Sequence, residues 1–299
     1  MVDVLIIGSG PAGLSAAVYA KRANLDVLVA EKIYCGTGQV AESNQVDNYL
    51  GLAGINGYEL GEKFREHAVG LGVEFKDGEA EQFLQERGIW KVTFKNGDVV
   101  EAKTVIYAAG AIHRHLNIPG ENELAGRGVS YCATCDGAFF KGKATAVIGG
   151  GDTALDDALY LADISSKVYL VHRRDEFRGS AKTVARLKEK GNVEFVLSAK
   201  PARIVGEDKV TELQLEDGRS LAVDGVFIAV GMVPVSEPVK DVVELDQAGY
   251  IVAGETGRTS TEGFFVAGDV RTKALRQVIT AVSDGANAAT LAEQYIKQE

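Results

Sequence analysis

The sequence predicts an α/β protein with two parallel sheets, each carrying a β-hairpin excursion. An apolar segment, a glycine-rich turn and a helix with apolar spacing follow one another twice, near the N-terminus and again from residue 145, which predicts the sheets. Alternating apolar and polar residues flank Asn96-Gly97 and Asp217-Gly218, which predicts the hairpins. The 299 residues are enough for one or two domains.

The two glycine-turn segments are copies of one motif, because residues 4–32 align with residues 145–173 without a gap. The turn positions that coincide are Gly8 with Gly149, Gly10 with Gly151, and Gly13 with Ala154. The first glycine of such a turn permits a tight bend, the second lets the backbone approach a pyrophosphate, and the third position lets helix and strand pack closely. Two copies in register therefore predict two Rossmann-like dinucleotide-binding domains, each with phosphates at a helix N-terminus.

The end of the second strand in each copy indicates which nucleotide binds. Glu31 stands there in the first copy, where a carboxylate holds a ribose 2′-hydroxyl, so we expect FAD. His172 occupies the aligned position of the second copy, and Arg173, Arg174 and Arg178 follow it. Because guanidinium groups can bind a 2′-phosphate, we expect NADPH there; a solvated charged segment is the alternative.

Composition narrows the class of function. The net charge of −10 and the absence of a basic stripe argue against nucleic acid. No apolar run reaches the length of a membrane span, and the N-terminus lacks the features of a signal peptide, so we expect a cytoplasmic protein without membrane attachment. In such a reducing compartment, a close cysteine pair is more often catalytic or metal-binding than structural.

A cysteine pair three residues apart, Cys132 and Cys135, directly precedes Asp136. Zinc needs four ligands, and neither Cys35 nor the four histidines show ligand spacing with the pair, so we expect no metal. Residues three apart can meet on one helical turn and form a small disulfide ring. If the pair opens a helix, the N-terminal field favours a thiolate. Asp136 is then either an acid that protonates a departing thiolate or a capping carboxylate.

Seven segments make the chain resemble the low-molecular-weight thioredoxin reductases, which are class II pyridine nucleotide-disulfide oxidoreductases, over nearly its full length. They are GSGPAG (8–13), VDNYLG (46–51), CATCDGAFFKGK (132–143), GGGDTA (149–154), HRRDEFR (172–178), FFVAGDV (264–270) and LRQVITAVSDGANAA (275–289). In the larger glutathione-reductase-like enzymes the redox cysteines are more widely spaced and follow the first βαβ unit. The position of the pair here matches the small class only.

The resemblance implies an FAD-binding domain formed by residues 1–114 and 242–299. An NADPH-binding domain, residues 115–241, is inserted between these parts and carries the cysteine pair. The implied activity is that of an NADPH-dependent thioredoxin-disulfide reductase: hydride passes from NADPH to FAD, electrons pass to the Cys132–Cys135 disulfide, and the dithiol exchanges with thioredoxin or a thioredoxin-like disulfide protein. The family also implies a homodimer, rotation of one domain against the other, and Asp136 as the acid.

The resemblance also assigns residues to the sites. The expected FAD contacts are Gly8, Gly10, Pro11, Ala12, Gly13, Glu31, Lys32, Gly38, Gln39, Asn48, Ala80, Gly110, Gly268, Asp269, Arg276, Gln277 and Val278. The expected NADPH contacts are Gly149, Gly151, Asp152, Thr153, Ala154, His172, Arg173, Arg174 and Arg178. The expected catalytic residues are Cys132, Cys135 and Asp136, of which Cys135 is implied to face the flavin and Cys132 to attack the substrate.

The chain departs from the family at three positions. In the loop that usually reads Gly-Gly-Gln, Thr37 precedes Gly38, and we expect it to alter how closely the loop meets the flavin. Leu50 replaces a common proline, and Cys35 is expected to be an inert buried residue.

Three other functions compete with the favoured one. An FAD-dependent dithiol oxidase would keep the cysteine pair and pass electrons to oxygen. A ferredoxin-linked reductase should lack the GGGDTA and HRRDEFR segments, which are present. A non-enzymatic flavin-binding module would have no use for a cysteine pair beside two nucleotide motifs.

Overall fold

The computed structural model describes residues 1–32, 36–43 and 45–298. Cys35 lies outside the described residues, so the expectation for it stays a prediction. The chain divides into two compact units. The first comprises Met1–Ile112 together with the chain from Val233 onward, and the second comprises His113–Met232.

The second joint between the units differs from the expected boundary at residues 241 and 242, since it lies just before Val233. Residues 233–241 are fixed within the first unit. The hydroxyl of Tyr107 donates a hydrogen bond of 2.8 Å to the carbonyl oxygen of Val235, and Val239 is fully buried in the core of that unit. The boundary was misplaced because no change of composition marks it.

The described residues form the following strands and α-helices. The strands are β1 (Val2–Ile7), β2 (Val27–Glu31), β3 (Glu74–Asp77), β4 (Ala80–Glu86), β5 (Ile89–Phe94), β6 (Val99–Tyr107), β7 (Ala111–His113), β8 (Val129–Ser130), β9 (Ala144–Ile148), β10 (Lys167–Val171), β11 (Val193–Val196), β12 (Pro201–Gly206), β13 (Val210–Leu215), β14 (Ser220–Ala222), β15 (Gly225–Ile228), β16 (Met232–Pro234) and β17 (Phe264–Val266). The α-helices are α1 (Pro11–Arg22), α2 (Gly57–Gly70), α3 (Ala133–Asp136), α4 (Asp152–Ile164), α5 (Ala181–Lys188) and α6 (Val278–Gln298).

The first unit is built on a sheet of order β3-β2-β1-β6-β5-β4, with β17 also paired to β6. Strands β1, β2, β3, β17 and the second half of β6 run parallel. Strands β4, β5 and the first half of β6 are antiparallel and form the predicted hairpin excursion. Helices α1 and α6 pack with their backbones in contact, because a Cβ atom on Gly285 would lie 2.0 Å from the carbonyl oxygen of Ala12.

The second unit contains a parallel sheet of order β11-β10-β9-β15-β8 and a separate antiparallel sheet of order β12-β13-β14. The predicted repeat is confirmed at the level of single residues, since α1 begins at Pro11 and α4 begins at the aligned Asp152. The α/β class with two Rossmann-like parallel sheets is therefore confirmed. No helix of the described residues is long and apolar enough to cross a lipid bilayer.

Candidate redox and dinucleotide sites

The cysteine pair forms a disulfide on a single helical turn. The sulfur atoms of Cys132 and Cys135 are bonded at 2.09 Å, and the Cα atoms are 5.3 Å apart. Cys132 is the N-cap of α3, and its carbonyl oxygen accepts hydrogen bonds from the backbone N–H groups of Cys135 and Asp136 at 3.3 and 3.1 Å. The pair opens a helix, which is the condition for a helix field at the thiols, but that helix has only four residues. So short a helix aligns few peptide dipoles, and the expected field at the thiols is correspondingly small.

The redox turn rests directly on helix α4. Ala133 is fully buried. A Cβ atom on Gly137 would lie 2.7 Å from the ring of Tyr160 and 3.2 Å from the side chain of Leu161. Glycine after Asp136 thus lets the turn pack closely on the helix that follows the second glycine motif, and a side chain there would displace Tyr160.

The carboxyl group of Asp136 is held from inside the turn. The hydroxyl of Ser130 donates a hydrogen bond of 2.6 Å to Asp136 Oδ2 and accepts one of 3.1 Å from the backbone N–H of Cys132. Asp136 ends α3 and caps no helix with its side chain, so the capping alternative is wrong. Burial raises the pKa of Asp136, and the bond from Ser130 offsets only part of this. The carboxyl group is thus able to keep a proton above the pH at which an exposed aspartate loses it.

A buried carboxylate that sequence reasoning missed anchors the residue before the disulfide. Glu121 is 1% exposed. It accepts hydrogen bonds from the hydroxyl of Tyr131 at 2.8 Å and from the backbone N–H groups of Asn117 and Leu116 at 2.7 and 3.1 Å. The Nδ1 atom of His115 lies 3.1 Å from Glu121 Oε1. Nothing in the sequence pattern marks Glu121, since its partners come from loops.

The second glycine turn leaves room for a phosphate. A Cβ atom on Gly149 would lie 2.3 Å from the carbonyl oxygen of Ala229, whereas Gly151, the N-cap of α4, has nothing within 4 Å. The carboxylate of Asp152 accepts a hydrogen bond of 2.7 Å from the backbone N–H of Ser180. This bond ties the segment that follows Arg178 to the turn.

His172 lies against the same turn. It is 6% exposed, and a Cβ atom on Gly150 would lie 2.2 Å from its ring. Its Nε2 atom has no hydrogen-bond partner among the described residues. Burial lowers the pKa of His172, a hydrogen bond to the backbone of Glu176 offsets part of this, and the charges of the neighbouring arginines add to the lowering. A neutral ring with a buried, unpaired nitrogen fits a polar group supplied by a ligand.

The three predicted arginines are exposed next to His172. In the part of the chain that the structure describes, none of them forms an ion pair with a carboxylate. They are Arg173, Arg174 and Arg178. Free guanidinium groups at this strand end suit a phosphate group. The solvated charged segment remains the alternative.

The first glycine turn is closely packed on its own backbone. Gly8 has a φ of +102°, and a Cβ atom there would lie 2.5 Å from the carbonyl oxygen of Ala108. A Cβ atom on Gly13 would lie 1.8 Å from the carbonyl oxygen of Gly8. Glu31 ends β2 beside this turn, and its Oε2 atom accepts hydrogen bonds from the backbone N–H and the hydroxyl of Ser9 at 2.8 and 3.0 Å.

A buried charge cluster supports Gly268 and Asp269 from behind. Asp284 Oδ2 accepts a hydrogen bond of 2.9 Å from the backbone N–H of Gly268. Arg271, 1% exposed, donates to Oδ2 and Oδ1 of Asp284 at 2.9 and 2.7 Å, and Lys273 Nζ lies 2.8 Å from Oδ2. Burial opposes ionisation of Asp284, but the bonds from Arg271 and Lys273 outweigh it and hold the pKa below its usual value. No local sequence pattern marks Asp284, Arg271 or Lys273 as a cluster.

Asp269 has an unpaired oxygen. Its Oδ1 atom is buried and has no hydrogen-bond partner within the described ranges. Burial raises the pKa of Asp269, and the charges of Lys273 and Arg276 offset part of this. A buried acceptor without a donor points to a ligand that supplies one, such as a hydroxyl group.

The expected FAD contacts all fall in the first unit, and the expected NADPH contacts fall in the second together with Cys132 and Cys135. Asn48 Nδ2 donates a hydrogen bond of 2.9 Å to Gln277 Oε1, and the guanidinium of Arg276 lies 4.0 Å from the ring centroid of Tyr250. The remaining expected contacts lie at element ends: Lys32 after β2, Gln39 at the start of a 3₁₀ turn, Ala80 at the start of β4, Gly110 after β6, Thr153 in the first turn of α4, and Val278 at the start of α6.

Comparison with known proteins agrees with this arrangement. Residues 2–285 match the family described as pyridine nucleotide-disulphide oxidoreductase. A thioredoxin reductase of Bacillus subtilis is 42% identical over 302 residues, which are 99% of this chain and 95% of the relative. One of Treponema pallidum is 44% identical over 300 residues, which are 98% and 97% of the two chains.

A solved structure gives the same result. The crystal structure of thioredoxin reductase from Streptococcus pyogenes superposes with a TM-score of 0.94 at 41% identity and covers 100% of this chain and 99% of that one. The match of fold and of sequence over nearly the whole length leaves one assignment: the chain belongs to the pyridine nucleotide-disulphide oxidoreductase family, and the relatives that it resembles are thioredoxin reductases.

Proposed function

We propose that the protein is an NADPH-dependent thioredoxin-disulfide reductase with FAD as its resident cofactor. One observation carries the proposal: the Cys132–Cys135 disulfide lies on a single turn beside Asp136, a carboxyl group whose pKa is raised by burial. This turn is packed on the helix of a dinucleotide motif. The family and the relatives named above support the same activity.

The residues of the first unit fit FAD. The N-terminus of α1 begins at a glycine turn in which no side chain blocks a pyrophosphate. Glu31 ends β2, where a ribose hydroxyl is expected. The unpaired Oδ1 atom of Asp269 would accept a hydrogen bond from a hydroxyl group of the ribityl chain. We assign the FAD site to these groups and to the other contacts that the resemblance implies.

The residues of the second unit fit NADPH. Gly151 leaves open space at the N-terminus of α4 for the pyrophosphate. The buried, unpaired Nε2 atom of His172 is available to a polar group of the nucleotide, and Arg173, Arg174 and Arg178 would supply positive charge for the 2′-phosphate. We therefore propose NADPH rather than NADH or ferredoxin as the electron donor.

When bound, FAD supplies the two-electron chemistry that links NADPH oxidation to reduction of the disulfide. The protein then carries out two thiol exchanges. The Cys132 thiolate attacks one sulfur of the substrate disulfide, forms a mixed disulfide and releases one substrate thiolate, which takes its proton from Asp136. The Cys135 thiolate then attacks the Cys132 sulfur, which releases the second substrate thiolate and re-forms the Cys132–Cys135 bond.

The test is NADPH consumption by the purified protein, with thioredoxin as the disulfide substrate and with oxygen alone. We expect a yellow protein that oxidises NADPH rapidly only when the disulfide protein is present. Rapid oxidation with oxygen alone would instead support the dithiol oxidase, and a colourless protein that takes up no FAD would overturn the proposal. The proposal also includes a homodimer and a cytoplasmic location, to be tested by light scattering and by cell fractionation.

A further inference from the structure

Two glycines of helix α2 let its backbone contact the segment that precedes the helix. Gly57 and Gly61 lie one helical turn apart, so they share a face of the helix. A Cβ atom on Gly57 would lie 1.9 Å from the carbonyl oxygen of Val40. A Cβ atom on Gly61 would lie 2.2 Å from Oγ1 and 2.7 Å from Cβ of Thr37. Neither position of α2 can therefore carry a side chain while this segment stays in place.

The other side of the same segment touches the first glycine turn. A Cβ atom on Gly38 would lie 3.0 Å from Cα of Gly10 and 3.5 Å from the ring of Pro11. Gly10 is the N-cap of α1. Residues 37 and 38 thus fill the space between α2 and the start of α1. The side chain of Thr37 contacts α2, and the backbone of Gly38 contacts α1.

The side chain of Thr37 points toward α2 and away from the first glycine turn. It is 4% exposed, and its side-chain atoms are those that block a methyl group on Gly61. The glycine at position 61 therefore compensates for the threonine at position 37. Packed groups transmit displacement through direct contact. Removal of the Thr37 side chain, or a methyl group added at Gly61, should therefore move Gly38 relative to Gly10.

We propose that Thr37 is a positioning residue for the cofactor: its contact with Gly61 holds the backbone of Gly38 against Gly10, beside the N-terminus of α1 where the FAD pyrophosphate is expected. This inference rests on the proposed FAD site. It assigns to Thr37 no contact with the cofactor and no step of the reaction. What the Thr37–Gly61 contact controls is how firmly FAD is held.

The experiment uses three variants of the full-length holoprotein and one matched control. Gly61→Ala adds a methyl group against Thr37, and Thr37→Gly removes the threonine side chain. The double variant Thr37→Gly with Gly61→Ala removes the threonine side chain and places a methyl group in the space that it leaves. The control is Gly70→Ala, because Gly70 belongs to the same helix and a Cβ atom there would meet nothing within 4 Å. The readouts are the rate of FAD release, followed by flavin fluorescence, and the thermal midpoint of the FAD-free protein.

Overpacking should make Gly61→Ala release FAD about tenfold faster or more. Thr37→Gly should release it faster than the wild type and Gly70→Ala, and the double variant should return to within about threefold of the wild type. Effects that simply add in the double variant would overturn the inference. If Gly61→Ala does not fold, Thr37→Gly decides alone, since it adds no atoms: unchanged release overturns the inference. A wild type without affinity for FAD would instead refute the proposed function.

Discussion

The hydroxyl group of Tyr131 donates a 2.8 Å hydrogen bond to the buried Oε1 atom of Glu121, and the next residue along the chain is the redox cysteine Cys132. Ser130, on the other side of Tyr131, bonds both the backbone of Cys132 and the carboxyl group of Asp136. The entry to the redox turn is therefore fixed by two neighbouring side chains with different partners.

The first prediction concerns this anchor. Tyr131→Phe removes the hydroxyl but leaves the backbone donors of Glu121 in place, so we expect a loss of about 1–2 kcal/mol in the free energy of unfolding. Disulfide exchange should slow at the same time. The control is Tyr58→Phe, because Tyr58 is 61% exposed. Denaturant unfolding and stopped-flow exchange measure both effects, and equal losses in the two variants would contradict the prediction.

The second prediction concerns the proton of Asp136. Burial raises its pKa, so the group stabilises the fold fully below the pKa of the unfolded chain, and this contribution is lost as the pH rises through the raised folded pKa. Asp136→Asn should therefore be at least as stable as the wild type above neutral pH. Disulfide exchange should nevertheless fall by about 100-fold or more, because an amide cannot donate the proton as an acid.

Unfolding and exchange rates measured across pH test this separation. In the wild type, the exchange rate should decline as the pH passes the raised pKa of Asp136, and this decline should be missing in Asp136→Asn. The exposed Asp208→Asn serves as control and should keep the wild-type profile. An unchanged exchange rate in Asp136→Asn would exclude the acid role.

The third prediction concerns cofactor choice. Arg173→Ala should weaken NADPH binding by about 1.5–3 kcal/mol, the cost of a charge-assisted hydrogen bond, and should leave NADH binding nearly unchanged. Arg203→Ala removes an arginine of β12 that is also exposed and should affect neither cofactor. Titration of the protein with each cofactor measures the difference. Equal weakening of both would assign the arginine another role.

The fourth prediction separates the two cysteines. Cys135→Ser should trap a stable mixed disulfide between Cys132 and thioredoxin, because no second thiol is left to resolve it. Cys132→Ser should trap none. Mass spectrometry of the adduct under non-reducing conditions identifies the bonded residue. An adduct through Cys135, or full turnover in either variant, would reverse the assignment.

The fifth prediction concerns the charge cluster behind Gly268. Asp284→Asn removes the carboxylate that pairs with both Arg271 and Lys273 and leaves Arg271 only the exposed Glu255 at 3.5 Å, so we expect a loss of about 3–5 kcal/mol in the free energy of unfolding. The lowered pKa of Asp284 stabilises the fold above the pKa of the unfolded chain, and this contribution is lost as the pH falls through the folded pKa. The variant should therefore lose less stability on acidification. Glu293→Gln breaks an exposed ion pair with Lys297 and should cost at most about 1 kcal/mol.

Local patterns in the sequence predicted the parallel sheets, both hairpins and the turn that joins the cysteines. These features depend on neighbours along the chain: glycines at fixed spacing, an apolar strand before them and a helix after them. The placement of Glu31 and His172 at aligned strand ends followed from the same periodicity. Helices α1 and α4 begin at aligned residues, so the repeat in the sequence predicted the start of both helices to the residue.

The sequence could not predict the groups that hold these motifs in place. Glu121 and Tyr131 are ten positions apart along the chain and meet only after loops close. Asp284 approaches Gly268 because α6 packs across the end of β17. The domain boundary before Val233 was predicted at the wrong residue for the same reason. The residues that follow it belong to the first unit because they bond to Tyr107, and no change of composition marks this. Contacts between distant segments carry no local pattern.

Helix α2 has a consequence for engineering the protein. From the sequence, each of its three glycines could be replaced by alanine. Such a substitution in a helix commonly raises the free energy of unfolding by about 0.5–1 kcal/mol. Only Gly70 has free space for the methyl group, whereas Gly57 and Gly61 are occupied by the neighbouring segment. A library that treats helical glycines as interchangeable would therefore improve heat resistance at the C-terminal end of α2 and lose cofactor retention at its N-terminal end.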